Sequence, residues 1–141
     1  MKARAFLFAL FALFALGVAG CAQTAPSSNA SGATTLHVEI QDDVHDQTLF
    51  DDDVTVDVQA ETLADFLEHA PVLDAVLEDG AYGKTIMGLK GVETESFDKG
   101  PWWMYTSSNN DACQKTGVCD ACSSLPIENG DAFTFTFNDT Y

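Results

Sequence analysis

Apolar and polar residues alternate over Leu36, Val38 and Ile40 against His37, Glu39 and Gln41, the period of a strand with one wet face. Val54, Val56 and Val58 repeat the alternation, predicting a second strand antiparallel to the first. Between them Asp42 to Asp53 holds six aspartates in twelve residues and reads as a solvated hairpin connection. Its spacing lacks the alternating ligands, central glycine and closing glutamate of a calcium loop. The period then changes. Leu63, Phe66, Leu67 and Ala70 fall on one helical face, with Thr62 as cap, Asp65 as a weak capping-box partner and Pro71 as the stop. His69, at the end of that helix, suits an interaction with the helix dipole. His37 and His45 read as surface residues.

Val72 to Leu77 predicts a strand and Asp79-Gly80 a turn. Glycines at 83, 88 and 91 keep the next segment out of a helix, so Tyr82 to Val92 reads as strand followed by irregular loop. Its Gly-Lys-Thr lacks the spacing of a phosphate loop. Trp102-Trp103-Met104-Tyr105 predicts an aromatic strand whose two tryptophans face opposite ways, leaving one for a ligand or partner. A three-cysteine loop follows. Asn129-Gly130 then turns the chain into a last strand with Phe133, Phe135 and Phe137 on one face. One main helix packed on a mixed, mostly antiparallel sheet is an α+β fold.

The first residues have another purpose. Lys2 and Arg4 precede an unbroken apolar run from Phe6 to Leu16, and small residues lead to Cys21, as in a secretory signal peptide. Val18-Ala19-Gly20-Cys21 resembles the lipobox of bacterial lipoproteins. That implies cleavage after residue 20 and a lipid anchor on Cys21. Without the lipobox the same run reads as a plain secretory signal or an uncleaved anchor. Residues 21–34 are small and polar, a tether, and residues 35–141 suffice for one domain. Cleavage removes Lys2 and Arg4, leaving four lysines against 22 acidic residues, a formal charge of −18. Such a charge excludes nucleic acid as a partner and favours a solvated extracytoplasmic surface.

With Cys21 lipidated, Cys113, Cys119 and Cys122 remain. They allow one disulfide from Cys113 to Cys119 or Cys122, a Cys-x-x-Cys redox pair, or a three-thiolate zinc site. No Gly-x-Ser-x-Gly or His-Glu-x-x-His motif is present, which points away from an enzyme. Tyr82, Trp102, Trp103 and Tyr105 offer flat contact area, and Asn109 and Asn110 hydrogen bonds, for a small soluble ligand.

Four segments together resemble the transcobalamin-like C-terminal domain family. They are the strand–strand–helix opening through Glu61-Thr62-Leu63-Ala64-Asp65-Phe66-Leu67, the segment Tyr82 to Leu89, Trp103-Met104-Tyr105, and Gly130 to Phe135. The likeness spans Leu36 to Phe137 and implies a β-grasp-like domain that binds soluble ligands, corrinoids such as cobalamin among them. For a ligand-binding lipoprotein a membrane transporter is a candidate partner. The sequence departs from the family at Thr106-Ser107-Ser108-Asn109-Asn110, where an Asn-Gly turn is usual, and in the Cys113–Cys122 loop. It also shows no counterpart of the helical domain that completes the cobalamin site in animal carriers. Two other roles fit the residues: a cell-envelope interaction or adhesion module anchored by the same aromatics, and a metal-handling lipoprotein using the cysteine loop.

Overall fold

The computed structural model describes residues 32–140. The expected leader, Cys21 and most of the tether lie outside the described residues.

Strand β1 (Thr34–Asp42) and strand β2 (Gln47–Val56) form an antiparallel hairpin. The aspartate-rich stretch is therefore not a long connection; the turn is confined to residues 43–46, and Asp51 to Asp53 sit within β2. Register explains the difference. Ile40 pairs with Phe50 and Leu36 with Val54, so burying the apolar side of β1 draws its partner into the sheet whatever β2's outer residues are. The carboxylates then serve the edge, since β2 ends a sheet of order β2-β1-β7-β6 and a row of charges deters further pairing.

The central pair of that sheet is parallel. Strand β7 (Ala132–Asn138) lies beside β1, with Val38 opposite Phe133 and Ile40 opposite Phe135. Strand β6 (Trp102–Ser107) adds antiparallel to β7. A first and last strand paired in parallel at the centre, with a helix beneath, give the expected α+β, mixed and mostly antiparallel layout.

Helix α1 (Leu63–His69) buries Leu63, Ala64, Phe66 and Leu67 in the same core as Leu36, Val38, Ile40, Phe133 and Phe135. Its start is closed as the sequence predicts. Thr62 accepts from the Asp65 amide at 3.2 Å, and the Asp65 carboxylate accepts from the Glu61 amide at 3.1 Å. Two more first-turn amides donate outward, Leu63 to Leu125 O and Ala64 to Cys122 O. His69 Nδ1 lies 2.8 Å from the Asp65 carbonyl, within the last turn.

Beyond α1 the expected strand over Val72 to Leu77 is displaced. Pro71–Leu73 forms a single 3-10 turn that seats Leu73 in the core, and Asp74 reverses direction with φ 48°. Strand β3 (Val76–Gly80) starts only afterwards, so Asp79-Gly80 belongs to the strand and Ala81-Tyr82 makes the turn into strand β4 (Gly83–Leu89). With the two-residue strand β5 (Val92–Glu93) they form a second, three-stranded sheet where one continuous sheet was expected. Ile86 and Leu89 seal its inner side against the main core.

The cysteine loop is also more ordered than its composition suggests. Asn110 caps a short helix, α2 (Asp111–Thr116), which Gly117 ends at φ 78°.

Candidate functional site

The β3–β4 hairpin closes on the pair Gly80–Gly83, with Ala81 and Tyr82 at its tip. Gly83 has φ 108°, and a Cβ there would stand 2.1 Å from Ser123 Oγ. Glycine thus serves both the turn and a close approach of the cysteine loop. That approach is bonded on both sides of Lys84, whose amide donates to Ser123 Oγ at 3.2 Å and whose carbonyl accepts from Cys122 Sγ at 3.0 Å.

Opposite the hairpin runs the 94–100 segment. The Thr94 amide donates to Met87 O at 2.7 Å, Thr94 Oγ1 to Pro101 O at 2.9 Å, and Trp102 Nε1 to Phe97 O at 2.6 Å. The segment is fixed by these bonds, yet Phe97 is 54% exposed and Tyr82 93% exposed. Together with Ala121 from the cysteine loop they border a cleft of about 390 Å³. Met87, Phe97, Ala81 and Ala121 supply apolar lining; Glu78, Asp79, Lys84 and Thr85 supply polar groups. Lys84 is ion-paired to Glu68, and that hydrogen bond raises its pKa above 10.5. A mostly apolar hollow of this size with a few polar groups has the form of a small-molecule site.

Of the six residues predicted to bind a ligand, Tyr82 alone lines this cleft. Trp102 stands behind it, its ring over Gly100 and its nitrogen on the Phe97 carbonyl. Trp103 is buried against Phe137, with centroids 5.0 Å apart, and donates to Val92 O. Tyr105 pairs with Phe135 at 5.8 Å and donates to Asp120 O at 2.6 Å; burial pushes its pKa well above the ordinary range. Both rings follow register, since Trp103 lies opposite Phe137 and Tyr105 opposite Phe135.

Asn109 and Asn110 are spent within the fold. Asn109 accepts from the Ala132 amide and donates to Gly130 O. Asn110 accepts from the amides of Ala112 and Cys113 and donates to Pro126 O and Asp131 Oδ2. The hollow beside them, about 80 Å³, is too small for an organic ligand. They staple the α2 turn to the approach of β7.

The cysteines resolve as a Cys113–Cys119 disulfide with Cys122 unpaired and buried. The Cys-x-x-Cys is therefore not a redox pair, and two of the three thiolates of a zinc site are withdrawn. Burial pushes the Cys122 thiol up, which keeps it protonated. Among the described residues no three His, Cys, Asp or Glu side chains gather as a metal site.

Sequence reading missed Phe97. The signal was available: a lone aromatic in Glu95-Ser96-Phe97-Asp98-Lys99 has no apolar neighbour to carry it inward.

No protein-family model and no curated protein matches the sequence. Solved structures do match in fold. A Ruminococcus gnavus protein described as a candidate metal-binding protein aligns over 77% of this chain and 99% of its own, with TM-score 0.56 and 21% identity. Haptocorrin in complex with Cbi aligns over 86% of this chain but 29% of its own length, with TM-score 0.57 and 13% identity. At these identities the likeness is one of fold.

Proposed function

We propose that this chain is a lipid-anchored extracytoplasmic binding protein, not an enzyme, that holds a small soluble ligand in the cleft between the β3–β4 hairpin and the 94–100 segment. One observation carries the reading: Tyr82 and Phe97 stand largely exposed on a bonded framework around an apolar hollow. Exposing two large aromatic surfaces forgoes burial worth about 2 kcal/mol each, a cost that a binding surface explains. The disulfide supports an oxidising compartment, and the lipobox-like Val18 to Cys21 supports an anchor at the bacterial membrane. Corrinoids are the ligand class to test first, because the fold is shared with the Cbi complex of haptocorrin. A whole corrinoid exceeds the cleft, so it would be gripped along one edge and remain accessible to a membrane transporter.

Equilibrium dialysis of cobinamide and cobalamin against the purified full-length protein tests this. Trp102 reports the event by fluorescence, being bonded to the carbonyl of Phe97. Saturable binding is expected, weakened at least tenfold by Tyr82→Ala, which removes a side chain 93% exposed and should alter stability by less than about 0.5 kcal/mol. Binding that Tyr82→Ala and Phe97→Ala leave intact would remove the cleft from consideration; failure of both corrinoids would remove that class.

A further inference from the structure

We propose that the cleft discriminates by charge and takes flat molecules bearing a positive group in preference to neutral or anionic ones of the same shape. This narrows the ligand-binding reading above and rests on it. Three separate features act in one direction. Glu78 and Asp79 lie consecutively on the edge strand β3, one on each face, and both are exposed at the border of the cleft. Among the described residues neither is taken up in an ion pair. The cleft's basic lining residue, Lys84, is instead bound to Glu68, a carboxylate from α1 that offsets its charge. A ligand therefore meets two carboxylates and a lysine already neutralised by Glu68, with Asp79, its cross-strand partner, adding to that field.

The second feature is the walls. The ring faces of Tyr82 and Phe97 carry negative quadrupole charge, which attracts a cation and repels an anion. The third is the anchored molecule as a whole, in which 22 acidic residues face four lysines, so the long-range field concentrates cations at its surface. Each effect is small at an exposed site. Together they amount to about a tenfold preference in dissociation constant for a cation over a matched anion at low salt.

A matched trio of probes separates charge from shape: 1-naphthylmethylamine, 1-naphthylmethanol and 1-naphthaleneacetate share one ring system and differ in charge near neutral pH. Protein-observed NMR titration of the purified full-length chain gives each dissociation constant. The amine should bind about tenfold more tightly than the acetate, with the alcohol between them. The ratio should shrink in 0.5 M salt, and in Glu78→Gln with Asp79→Asn it should fall to about threefold or less. Equal binding of all three, abolished by Tyr82→Ala, would keep the cleft and overturn charge selection. An amine preference that stays at about tenfold in the Glu78→Gln, Asp79→Asn variant would overturn it too, by assigning the effect to the general surface. If none of the three shifts a cleft resonance, the cleft reading falls and this inference with it.

Discussion

Asn110 is 2% exposed, and each atom of its amide group is used. Its oxygen accepts from two first-turn amides of α2, and its nitrogen donates to Pro126 O and to Asp131 Oδ2 at 2.6 Å. Asn110→Ala removes a helix cap and one of two bonds to Asp131 Oδ2, leaving that oxygen with the Glu128 amide alone, losses that together cost about 2 kcal/mol. Asn110→Asp keeps the cap but sets a second carboxylate against Asp131, so it should not restore stability. Urea unfolding of the two variants checks both statements; a loss under 1 kcal/mol in each would contradict the stapling role. The same residue shows why side-chain roles were only partly legible. A polar pair in a loop reads as hydrogen bonds on offer, and sequence does not reveal that the folded backbone consumes them. Trp103 carries the same lesson, because its burial depends on Phe137 arriving opposite from 34 positions away. Tyr82 stands out in the sequence by its ring and reads there as the start of a strand, whereas the Gly80–Gly83 pair sets it at the tip of a two-residue turn.

At the scale of elements, period and punctuation carried most of the fold. The strands at Leu36 and Phe133 and the capped helix at Thr62 follow directly from alternation, cap and proline. What did not follow was set by partners. Strand β2 extends over Asp51 to Asp53 because β1 holds it in register, and β3 starts late because Leu73 must first reach the core. Helix α2 was hidden for a different reason: six residues cannot nucleate a stable helix alone. It persists because Asn110 closes one end and the Cys113–Cys119 link ties the other to the chain beyond Gly117. Replacing Cys113 and Cys119 together by serine reopens a loop with sequence separation 6, a loss of about 2 kcal/mol in loop-closure terms. Calorimetry should show a lower Tm, and hydrogen exchange should show the amides of α2 losing protection first. Unchanged protection there would mean that the Asn110 cap and the bond from Gln114 Nε2 to the Ser107 carbonyl suffice to hold the helix.

The whole molecule is acidic, yet the groups whose titration the fold changes most visibly act on the alkaline side. Burial raises Tyr105 above its ordinary 10.0 and Cys122 above 9.0, and the bond to Glu68 raises Lys84 above 10.5. In each case the folded chain holds its proton more tightly than the unfolded chain does. Above pH 9 the unfolded state therefore sheds protons first, and stability falls as pH rises through the folded values; below pH 9 the contribution is fully present. Deprotonation also adds negative charge to a surface already crowded with carboxylates, which opposes the compact state in the same range. Urea midpoints should hold steady from pH 7 to pH 8.5 and then decline by pH 10.5. Buried Cys122 and half-buried Tyr105 supply a slope of at most about 1.4 kcal/mol per pH unit for each proton released. Cys122→Ala combined with Tyr105→Phe should flatten the decline while lowering stability at pH 7, because Tyr105 loses its bond to Asp120 O and Cys122 its bond to Lys84 O. A wild-type midpoint that stays level to pH 10.5, or a variant that declines as steeply as the parent, would show that neither proton is held by the fold.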